Sequence, residues 1–282
     1  MNILTFDIEE WFHILDNKST QYTAQWRSFD CRIHANAYRI LDLLSSRNQK
    51  ATLFCLGWVA QRYPEILREA VALNLEIGSH TYSHQLAFRQ SPREFEADLR
   101  KSIDIIQGVT GKRVTSFRIP GFSLVESSAW VFDVLARCGI EADSSIFPAR
   151  RNHGGFRDFG SSHPALVQTK WGTLQEFPIN THSVLGVPVV FSGGGYFRLT
   201  PYRVIRHFIR KSGYVMTYFH PRDFDCRQPM IPSLSAFRRI LSYYGVCSAF
   251  AKFERMLDEF SFVDLATARQ AVDWSSVRQV SF

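Results

Sequence analysis

The chain has 282 residues, a length that suits one large domain or one domain with an appended segment. Hydrophobic residues make up 45% and charged residues 21%, which excludes a disordered, collagen-like or coiled-coil protein. The formal net charge of +7 favours an anionic partner, but the chain has no nucleic-acid-binding motif, so we expect no nucleic acid among its partners.

Strand-like and helical patterns alternate from the first residues onward. In chain order they predict a strand at Ile3–Asp7, a helix near 33–47, a strand at Ala51–Leu56, a helix at about Val59–Leu73 and a strand at Leu75–His80. The clearest helix start is Ser91-Pro92-Arg93-Glu94, which offers an N-cap, a proline at the first helical position and a capping-box glutamate. That helix should extend to Gly108 or Gly111.

The alternation continues through the second half of the chain. The patterns predict a strand at Val114–Ile119, a helix at Ala129–Cys138, strands at Ile140–Ser144, Leu174–Ile179 and Val187–Phe191, a helix from Thr200 to Lys211 and a strand at Tyr214–Phe219. Repeated strand–helix units predict an α/β fold with a parallel sheet, and about seven strands favour a barrel. We expect a catalytic domain at residues 1–230 and a helical C-terminal extension, residues 231–282, packed on the barrel.

The chain shows no basic segment followed by an apolar one at its start, and no apolar run approaches the ~18 residues of a membrane span. Peripheral contact with a membrane stays open. The five cysteines are odd in number, widely spaced and without a C-x-x-C pattern. Reduced thiols in a cytoplasmic protein are therefore the prediction.

Polar residues of catalytic types recur at the carboxyl ends of the predicted strands. Barrel enzymes build their active sites at this end, because the loops after the strands meet on one face. The residues in this position are Asp7, His80, Arg118, Asp143 and His220.

His80 and His84 are spaced one helical turn apart, which would let two imidazoles reach one ion. The pair alone is weak evidence, and it lacks the glutamate of the H-E-x-x-H metalloprotease pattern. Asp7 and Glu9 lie on the same side of the first strand because side chains alternate. One carboxylate can therefore bind the metal while the other serves as base, and Glu10 points to the other face in a structural role.

The chain resembles the polysaccharide deacetylase family, also called NodB-homology or carbohydrate esterase family 4. Family motifs occur in order across about residues 3–221. They correspond to Thr5-Phe6-Asp7-Ile8-Glu9, His80-Thr81-Tyr82-Ser83-His84, Arg118-Ile119-Pro120-Gly121, Asp143 before Ser144-Ser145, and Tyr218-Phe219-His220-Pro221. The resemblance implies a distorted (β/α)7-type barrel. Further segments, such as Gly193-Gly194-Gly195-Tyr196-Phe197-Arg198, resemble a subgroup associated with bacterial exopolysaccharide and surface-glycan assembly.

One departure from the family concerns the metal ligands. Ile8 replaces the second aspartate of the first motif, and Glu9 is able to take over its role. The resemblance therefore implies a divalent ion bound by Glu9, His80 and His84, with Zn²⁺ as the expected ion and Asp7 as the base. The opposite assignment, with Asp7 as the metal ligand and Glu9 as the base, stays open.

The remaining roles follow from the resemblance. Arg118 would orient Asp7 and keep it ionised, and a backbone N–H near Gly121 would stabilise the oxyanion. His220 would protonate the departing amine, with Asp143 fixing its tautomer. Aromatic rings that could pack on the faces of sugar rings are assigned to substrate binding; these are Trp11, Tyr82, Phe122 and Trp171.

The predicted activity is metal-dependent hydrolysis of an N-acetyl group on a saccharide, in bacterial surface-glycan or exopolysaccharide biosynthesis. The substrate partner is an N-acetylated saccharide, with lipid-linked and anionic forms left open. A sugar deformylase acting on a lipid-linked saccharide and a non-catalytic glycan-binding scaffold are the alternatives. An Fe(II) oxygenase also uses two histidines and a carboxylate, but usually on an all-β scaffold.

Overall fold

The computed structural model describes residues 1–149, 154–184, 187–231 and 233–282. The strands are β1 (Asn2–Ile3), β2 (Thr5–Ile8), β3 (Thr52–Cys55), β4 (Glu76–Ser79), β5 (Ser116–Phe117), β6 (Ala142–Asp143), β7 (Ala165–Thr169), β8 (Gly172–Glu176), β9 (His182–Val184), β10 (Val187–Val189), β11 (Val215–Met216) and β12 (Arg278–Ser281). The helices are α1 (Thr23–Trp26), α2 (Ile33–Ser46), α3 (Gly57–Arg62), α4 (Pro64–Ala72), α5 (Pro92–Thr110), α6 (Trp130–Arg137), α7 (Gly194–Leu199), α8 (Tyr202–Lys211), α9 (Ala236–Tyr243), α10 (Val246–Glu259) and α11 (Leu265–Ala271).

The main sheet has the strand order β12-β7-β8-β6-β5-β4-β3-β2. From β2 to β6, and from β6 to β8, all neighbours are parallel, whereas β7 runs antiparallel to β8. The α/β class with parallel strand–helix units is therefore confirmed. Within the described part of the chain, the ladder does not close into a complete barrel.

The two N-terminal strands have different parallel partners: β1 pairs with β11, and β2 pairs with β3. Beyond β1 and β11, hydrogen bonds continue between the segment of β2 and the segment that follows β11. The Asp7 N–H donates to the Phe219 carbonyl over 2.8 Å, and the Phe219 N–H donates to the Thr5 carbonyl over 3.1 Å. Parallel neighbours bring their carboxyl ends to one edge. The residues that follow β2 and the residues that follow Phe219 consequently meet at that edge.

Helix α5 shows how local sequence builds the layer outside the sheet. Its cap forms as the sequence predicts: Ser91 Oγ accepts from the Glu94 N–H, and Glu94 accepts from the Ser91 N–H over 2.8 Å. Gly111, at φ 65°, ends the helix in the left-handed region. The buried side chains recur with helical spacing and pack on the core; they are Phe95, Leu99, Ser102, Ile103 and Ile106.

The C-terminal segment contains α9, α10 and α11, but it is not wholly helical, because β12 pairs with β7. The Phe253 ring of α10 lies 5.8 Å from the Phe6 ring and 5.3 Å from the Phe219 ring. This segment therefore packs directly behind the N-terminal strand; the boundary at residue 230 stays a prediction. None of the described helices is long and apolar enough to cross a membrane.

A disulfide joins Cys226 to Cys247, so the prediction that the thiols are all reduced is wrong. The two Cα atoms are 4.5 Å apart, because Cys247 at the start of α10 lies beside the loop that contains Cys226. Cys31, Cys55 and Cys138 are free. The two cysteines are 21 residues apart and show no C-x-x-C spacing, so the sequence did not predict their pairing.

Candidate active site

A cavity of about 230 Å³ opens at the carboxyl ends of the parallel strands. It is lined by several of the residues that the sequence singles out, namely Asp7, Glu9, His80, His84, Gly121, Phe122 and His220. Arg118 and Asp143 are fully buried behind this lining. The strand-end positions thus converge on one cavity, although the residues occupy different depths.

Glu9, His80 and His84 form a compact cluster of potential metal ligands. One ligand atom from each lies within 4.8 Å of the others, and all three side chains are buried. Glu9 Oε2 is 2.9 Å from His84 Nε2. The His80 Nδ1–H donates to the Arg118 carbonyl over 2.7 Å, which leaves the Nε2 lone pair free for a ligand bond.

The donor set of this cluster fits a divalent cation. Glu9 Oε2 is buried beside His84 Nε2, and no backbone N–H or hydroxyl group of the described residues donates to it. Burial lowers the pKa of His80 to about 4, so its imidazole is neutral near pH 7. Burial alone would raise the pKa of Glu9, but His84 and His220 outweigh it and lower that pKa. An ionised carboxylate beside imidazole lone pairs is the environment that a borderline cation such as Zn²⁺ prefers.

The His80–His84 segment is a loop, and the prediction that a helical turn spaces the two imidazoles is wrong. Thr81 and His84 have φ angles of 64° and 55°, in the left-handed region that such residues rarely adopt. Asp98 of α5 holds the loop by accepting from the Tyr82 N–H over 2.8 Å. This backbone strain turns both imidazoles toward Glu9.

Arg118 anchors Asp7. Its Nη1 donates to Asp7 Oδ1 over 3.0 Å and to Thr5 Oγ1 over 2.6 Å, while Nε and Nη2 donate to the carbonyl and hydroxyl of Ser144. The guanidinium is completely buried, so these contacts act with little screening by water. The other carboxylate oxygen, Oδ2, is left facing the cavity, 3.6 Å from His220 Nε2.

His220 is held by Asp223. Asp223 Oδ2 lies 3.0 Å from Nδ1 and also accepts from the His220 N–H over 2.9 Å. Nε2 points the other way and lies 3.1 Å from Glu9 Oε1. Burial would lower the pKa of His220, but Glu9, Asp223 and Asp7 together raise it to about 9. The imidazolium form therefore dominates near neutral pH.

Asp143 does not contact His220, and the prediction that it fixes the tautomer of His220 is wrong. The pairing of β6 with β8 places Asp143 beside Glu176, and its Oδ1 accepts from the Ser145 hydroxyl. One oxygen of each acid is buried without a donor among the described residues. Burial raises the pKa values of both acids, so a proton shared between them explains the arrangement.

Glu10 faces away from the cavity, as alternation along the strand predicts. Its Oε1 accepts from the N–H groups of Arg32 and Ile33 over 2.9 and 3.1 Å. These groups begin α2, where backbone N–H groups lack helical partners and a carboxylate is stabilising. Glu10 is therefore a structural cap for α2.

The turn after β5 brings Gly121 and Phe122 to the cavity wall. Both residues are in the left-handed region, with φ angles of 63° and 52°. The Gly121 N–H donates no hydrogen bond to another described residue. It is consequently available to a substrate oxygen.

The other three aromatic residues assigned to substrate lie outside the cavity lining. Trp11 is buried in an aromatic core, where its Nε1–H donates to the Asp30 carbonyl over 2.9 Å. The Tyr82 hydroxyl donates to Gln61 over 2.8 Å. Trp171 lies between β7 and β8 and is 60% exposed. These three rings lie outside the cavity because their local sequences place them in the core, in a loop contact and on a hairpin. Their assignment to substrate binding stays a prediction.

The sequence analysis missed several cavity residues that lie after residue 190. Besides Asp223, three arginines reach the cavity: Arg198, Arg222 and Arg238. His13 also lines it, with Nε2 buried and without a partner among the described residues. Single arginines carry little signal in a sequence, since only the fold brings Arg198 of α7 and Arg238 of α9 to the same cavity.

Two family models match consecutive parts of the chain. Residues 17–142 match the polysaccharide deacetylase model, and residues 144–270 match a domain of unknown function (DUF3473). His80, His84, Arg118 and Gly121 fall in the first match. His220 and the three cavity arginines fall in the second.

Curated relatives are deacetylases of bacterial peptidoglycan. The peptidoglycan-N-acetylmuramic acid deacetylase PdaC of Bacillus subtilis is 37% identical over 86 residues, covering 30% of this chain and 18% of the relative. A peptidoglycan-N-acetylglucosamine deacetylase of Bacillus cereus is 28% identical over 118 residues, covering 38% of this chain and 43% of the relative. The matched segments thus span less than half the length of these relatives.

Solved structures share the fold over the whole chain. A putative polysaccharide deacetylase from Mycobacterium smegmatis superposes with a TM-score of 0.68 at 18% identity, covering 100% of this chain and 92% of that one. PdaC from Bacillus subtilis superposes with a TM-score of 0.50 at 15% identity, covering 96% and 90%. At these identities the likeness establishes the fold.

Proposed function

Because residues 17–142 match the polysaccharide deacetylase family model, we propose that this protein is a metal-dependent hydrolase that removes an N-acetyl group from a saccharide. The observation that carries the proposal is the meeting of Glu9, His80 and His84 in one cavity, beside an anchored Asp7 and the Nε2 atom of His220. Amide hydrolysis requires activation of water, stabilisation of an oxyanion and protonation of the amine. The cavity contains a candidate group for each requirement.

Glu9, His80 and His84 would hold the ion, and Zn²⁺ suits two imidazoles and one carboxylate. When bound, such an ion supplies Lewis-acid polarisation and lowers the pKa of water. His80 is prepared for this role by its bond to the Arg118 carbonyl, which fixes its tautomer and ring orientation.

Asp7 would accept the proton of the attacking water through Oδ2, since Oδ1 is bound to Arg118. His220 would deliver a proton to the departing nitrogen from Nε2, with Asp223 fixing Nδ1 as the other protonated nitrogen. The Gly121 N–H would donate to the oxyanion of the tetrahedral intermediate. Asp143 has no direct part in this scheme.

The biological saccharide is proposed to belong to a bacterial surface glycan or exopolysaccharide. The names of the peptidoglycan deacetylase relatives support a cell-envelope glycan. A cytoplasmic location remains a prediction, and the Cys226–Cys247 disulfide weighs against it, because such bonds persist mainly in oxidising compartments.

The test is a screen for released acetate and formate. Purified protein, loaded with Zn²⁺, would be incubated with N-acetylated and N-formylated monosaccharides, chitin and peptidoglycan oligosaccharides, and lipid-linked sugars. Acetate release that is abolished by a chelator and restored by Zn²⁺ supports the proposal. Release of formate alone would replace it by a deformylase, and release of neither acid would leave only a glycan-binding role.

A further inference from the structure

Three arginines, which we call the arginine wall, line one side of the cavity: Arg198, Arg222 and Arg238. Arg198 donates from Nη1 and Nη2 to the carbonyls of Ser242 and Leu241 over 2.7 and 2.8 Å. Arg238 donates from Nη1 and Nη2 to the carbonyls of Asp16 and Leu15 over 2.9 and 2.6 Å. Carbonyl oxygens hold these guanidiniums in place but do not cancel their charge.

Arg222 is different, because its guanidinium makes no side-chain hydrogen bond or ion pair with the rest of the described chain. It is half-buried, and its guanidinium carbon lies 6.0 Å from the centre of the Tyr243 ring. Burial lowers the pKa of Arg222, although Asp223 opposes this effect. An arginine normally offers five donors, so a half-buried guanidinium without acceptors is costly unless a ligand supplies them.

Among the described residues, the carboxylates of the cavity form an ion pair with Arg198 but not with Arg222 or Arg238. Asp7 is paired with Arg118, whose Nη1 lies 3.0 Å from Asp7 Oδ1. Asp223 is hydrogen-bonded to His220, and its other oxygen is 3.6 Å from Arg198 Nε. Arg222 and Arg238 consequently retain their positive charge where a substrate would enter.

A disulfide restricts the part of the chain that carries Arg238 and lies next to Arg222. The disulfide closes the chain between Cys226 and Cys247, a loop that contains Arg238 and begins four residues after Arg222. A fixed guanidinium loses less entropy on binding and presents the planar fork that matches carboxylate or phosphate oxygens.

We propose that the arginine wall binds a carboxylate or phosphate substituent of the saccharide, so that the substrate class is an anionic N-acetylated saccharide. This inference rests on the proposed function, since it assigns the substrate of the same cavity. Carboxylate and phosphate share the recognition chemistry, in which charge-assisted hydrogen bonds form with the guanidinium.

The experiment measures binding by titration calorimetry with the full chain loaded with Zn²⁺. The probes are neutral N-acetylglucosamine, N-acetylmuramic acid, which adds a carboxylate, and N-acetylglucosamine phosphate. The variants are Arg222→Gln and Arg238→Gln. The matched control is Arg203→Gln, which removes the same charge from an exposed position on α8. Circular dichroism would verify folding of each variant.

The wild-type protein should bind at least one anionic probe more tightly than the neutral probe. Arg222→Gln should weaken that anionic binding by roughly ten- to a hundredfold, with neutral binding unchanged, because a hydrogen bond to a charged group is lost. Arg203→Gln should leave the preference intact. The probe whose additional affinity over the neutral probe depends on Arg222 identifies carboxylate or phosphate as the recognised group.

Equal binding of all three probes, or no binding of either anionic probe, would overturn the inference. So would an anionic preference that survives both cavity substitutions or that disappears equally in Arg203→Gln. Acetate release provides the separate readout. Charge-dependent binding without acetate release would count against the proposed function, whereas acetate release without charge dependence would count against the arginine wall alone.

Discussion

The Nδ1 atom of His220 lies 3.0 Å from Oδ2 of Asp223, and His220 is itself the cap of the 3₁₀ turn that contains Asp223. One carboxylate therefore binds both the ring and the backbone N–H of the same histidine. This double contact fixes the direction of Nε2, which faces Glu9. The orientation of the proposed proton donor is consequently set within four residues of chain.

Asp223→Asn should move the alkaline limb of the pH–rate profile to lower pH. His220 must be protonated to act as the acid, and its pKa of about 9 depends partly on Asp223. Removing this charge lowers the pKa, so activity should be lost about one to three pH units earlier as pH rises. Initial rates of acetate release across pH test this. Asp143→Asn is the control variant. An equal shift of the alkaline limb in that variant would contradict the assignment of Asp223 as the partner of His220.

His80→Ala should abolish both metal binding and hydrolysis. The substitution removes one of three ligands whose donor atoms lie within 4.8 Å of one another. Metal content, measured by mass spectrometry after dialysis, should fall from about one ion per chain to near zero. His207→Ala, on the exposed side of α8, serves as the control. Full activity in metal-free His80→Ala would refute the metal site.

Asp7→Asn and Glu9→Gln should separate the two carboxylates. Asp7→Asn keeps Glu9, His80 and His84 intact, so metal should stay bound while kcat falls by about 10²–10⁴. Glu9→Gln removes the ligand oxygen and should weaken metal affinity. Parallel zinc titrations and single-turnover rates provide the measurements. The opposite pattern would exchange the roles of the two residues.

Arg118→Met should destabilise the fold. The substitution leaves Asp7 as a buried charge without its partner, which typically costs about 3–5 kcal/mol. Urea unfolding measures the free energy of unfolding. Arg113→Met is the matched control, because Arg113 is 67% exposed and its ion pair with Glu141 should contribute less than about 1 kcal/mol. Equal losses in both variants would contradict the importance of burial.

Cys226→Ser should lower the free energy of unfolding by about 2–4 kcal/mol, since the disulfide restricts the unfolded chain. Reductant should destabilise the wild-type protein and leave the variant unaffected. Thiol titration of the denatured, unreduced protein should find the three free cysteines. Detection of all five thiols would show that this bond does not form.

The strand–helix alternation was predictable because it depends on local periodicity. The α5 start is an example, since Ser91 and Glu94 form their cap within four residues. The pairing of β12 with β7 was not predictable, because it joins segments more than a hundred residues apart through few side chains. The Cys226–Cys247 bond was missed because two cysteines 21 residues apart, without a C-x-x-C pattern, carry no local sign of pairing.

Strand-end position identified Asp7, His80 and His220 as neighbours, since parallel strands share an edge. The same reasoning gave the wrong partner for Asp143, because β8 lies beside β6 and brings Glu176 next to Asp143. Asp223 had a readable signal: His220-Pro221-Arg222-Asp223 repeats the pattern of cap, proline and acid seen at Ser91. Here the residue at the cap position is a histidine whose ring contacts the acid, so a helix-start pattern also positions the proposed proton donor.

The cavity draws His80 and His84 from one matched stretch of the chain and Arg222 and Arg238 from the next. The proposed proton donor, His220, also lies in the second stretch, so both stretches are needed for the proposed hydrolysis. The arginines that would recognise the substrate lie only in the second stretch. Substitutions at Arg222 and Arg238 could then alter the glycan that is accepted while Glu9, His80 and His84 stay unchanged.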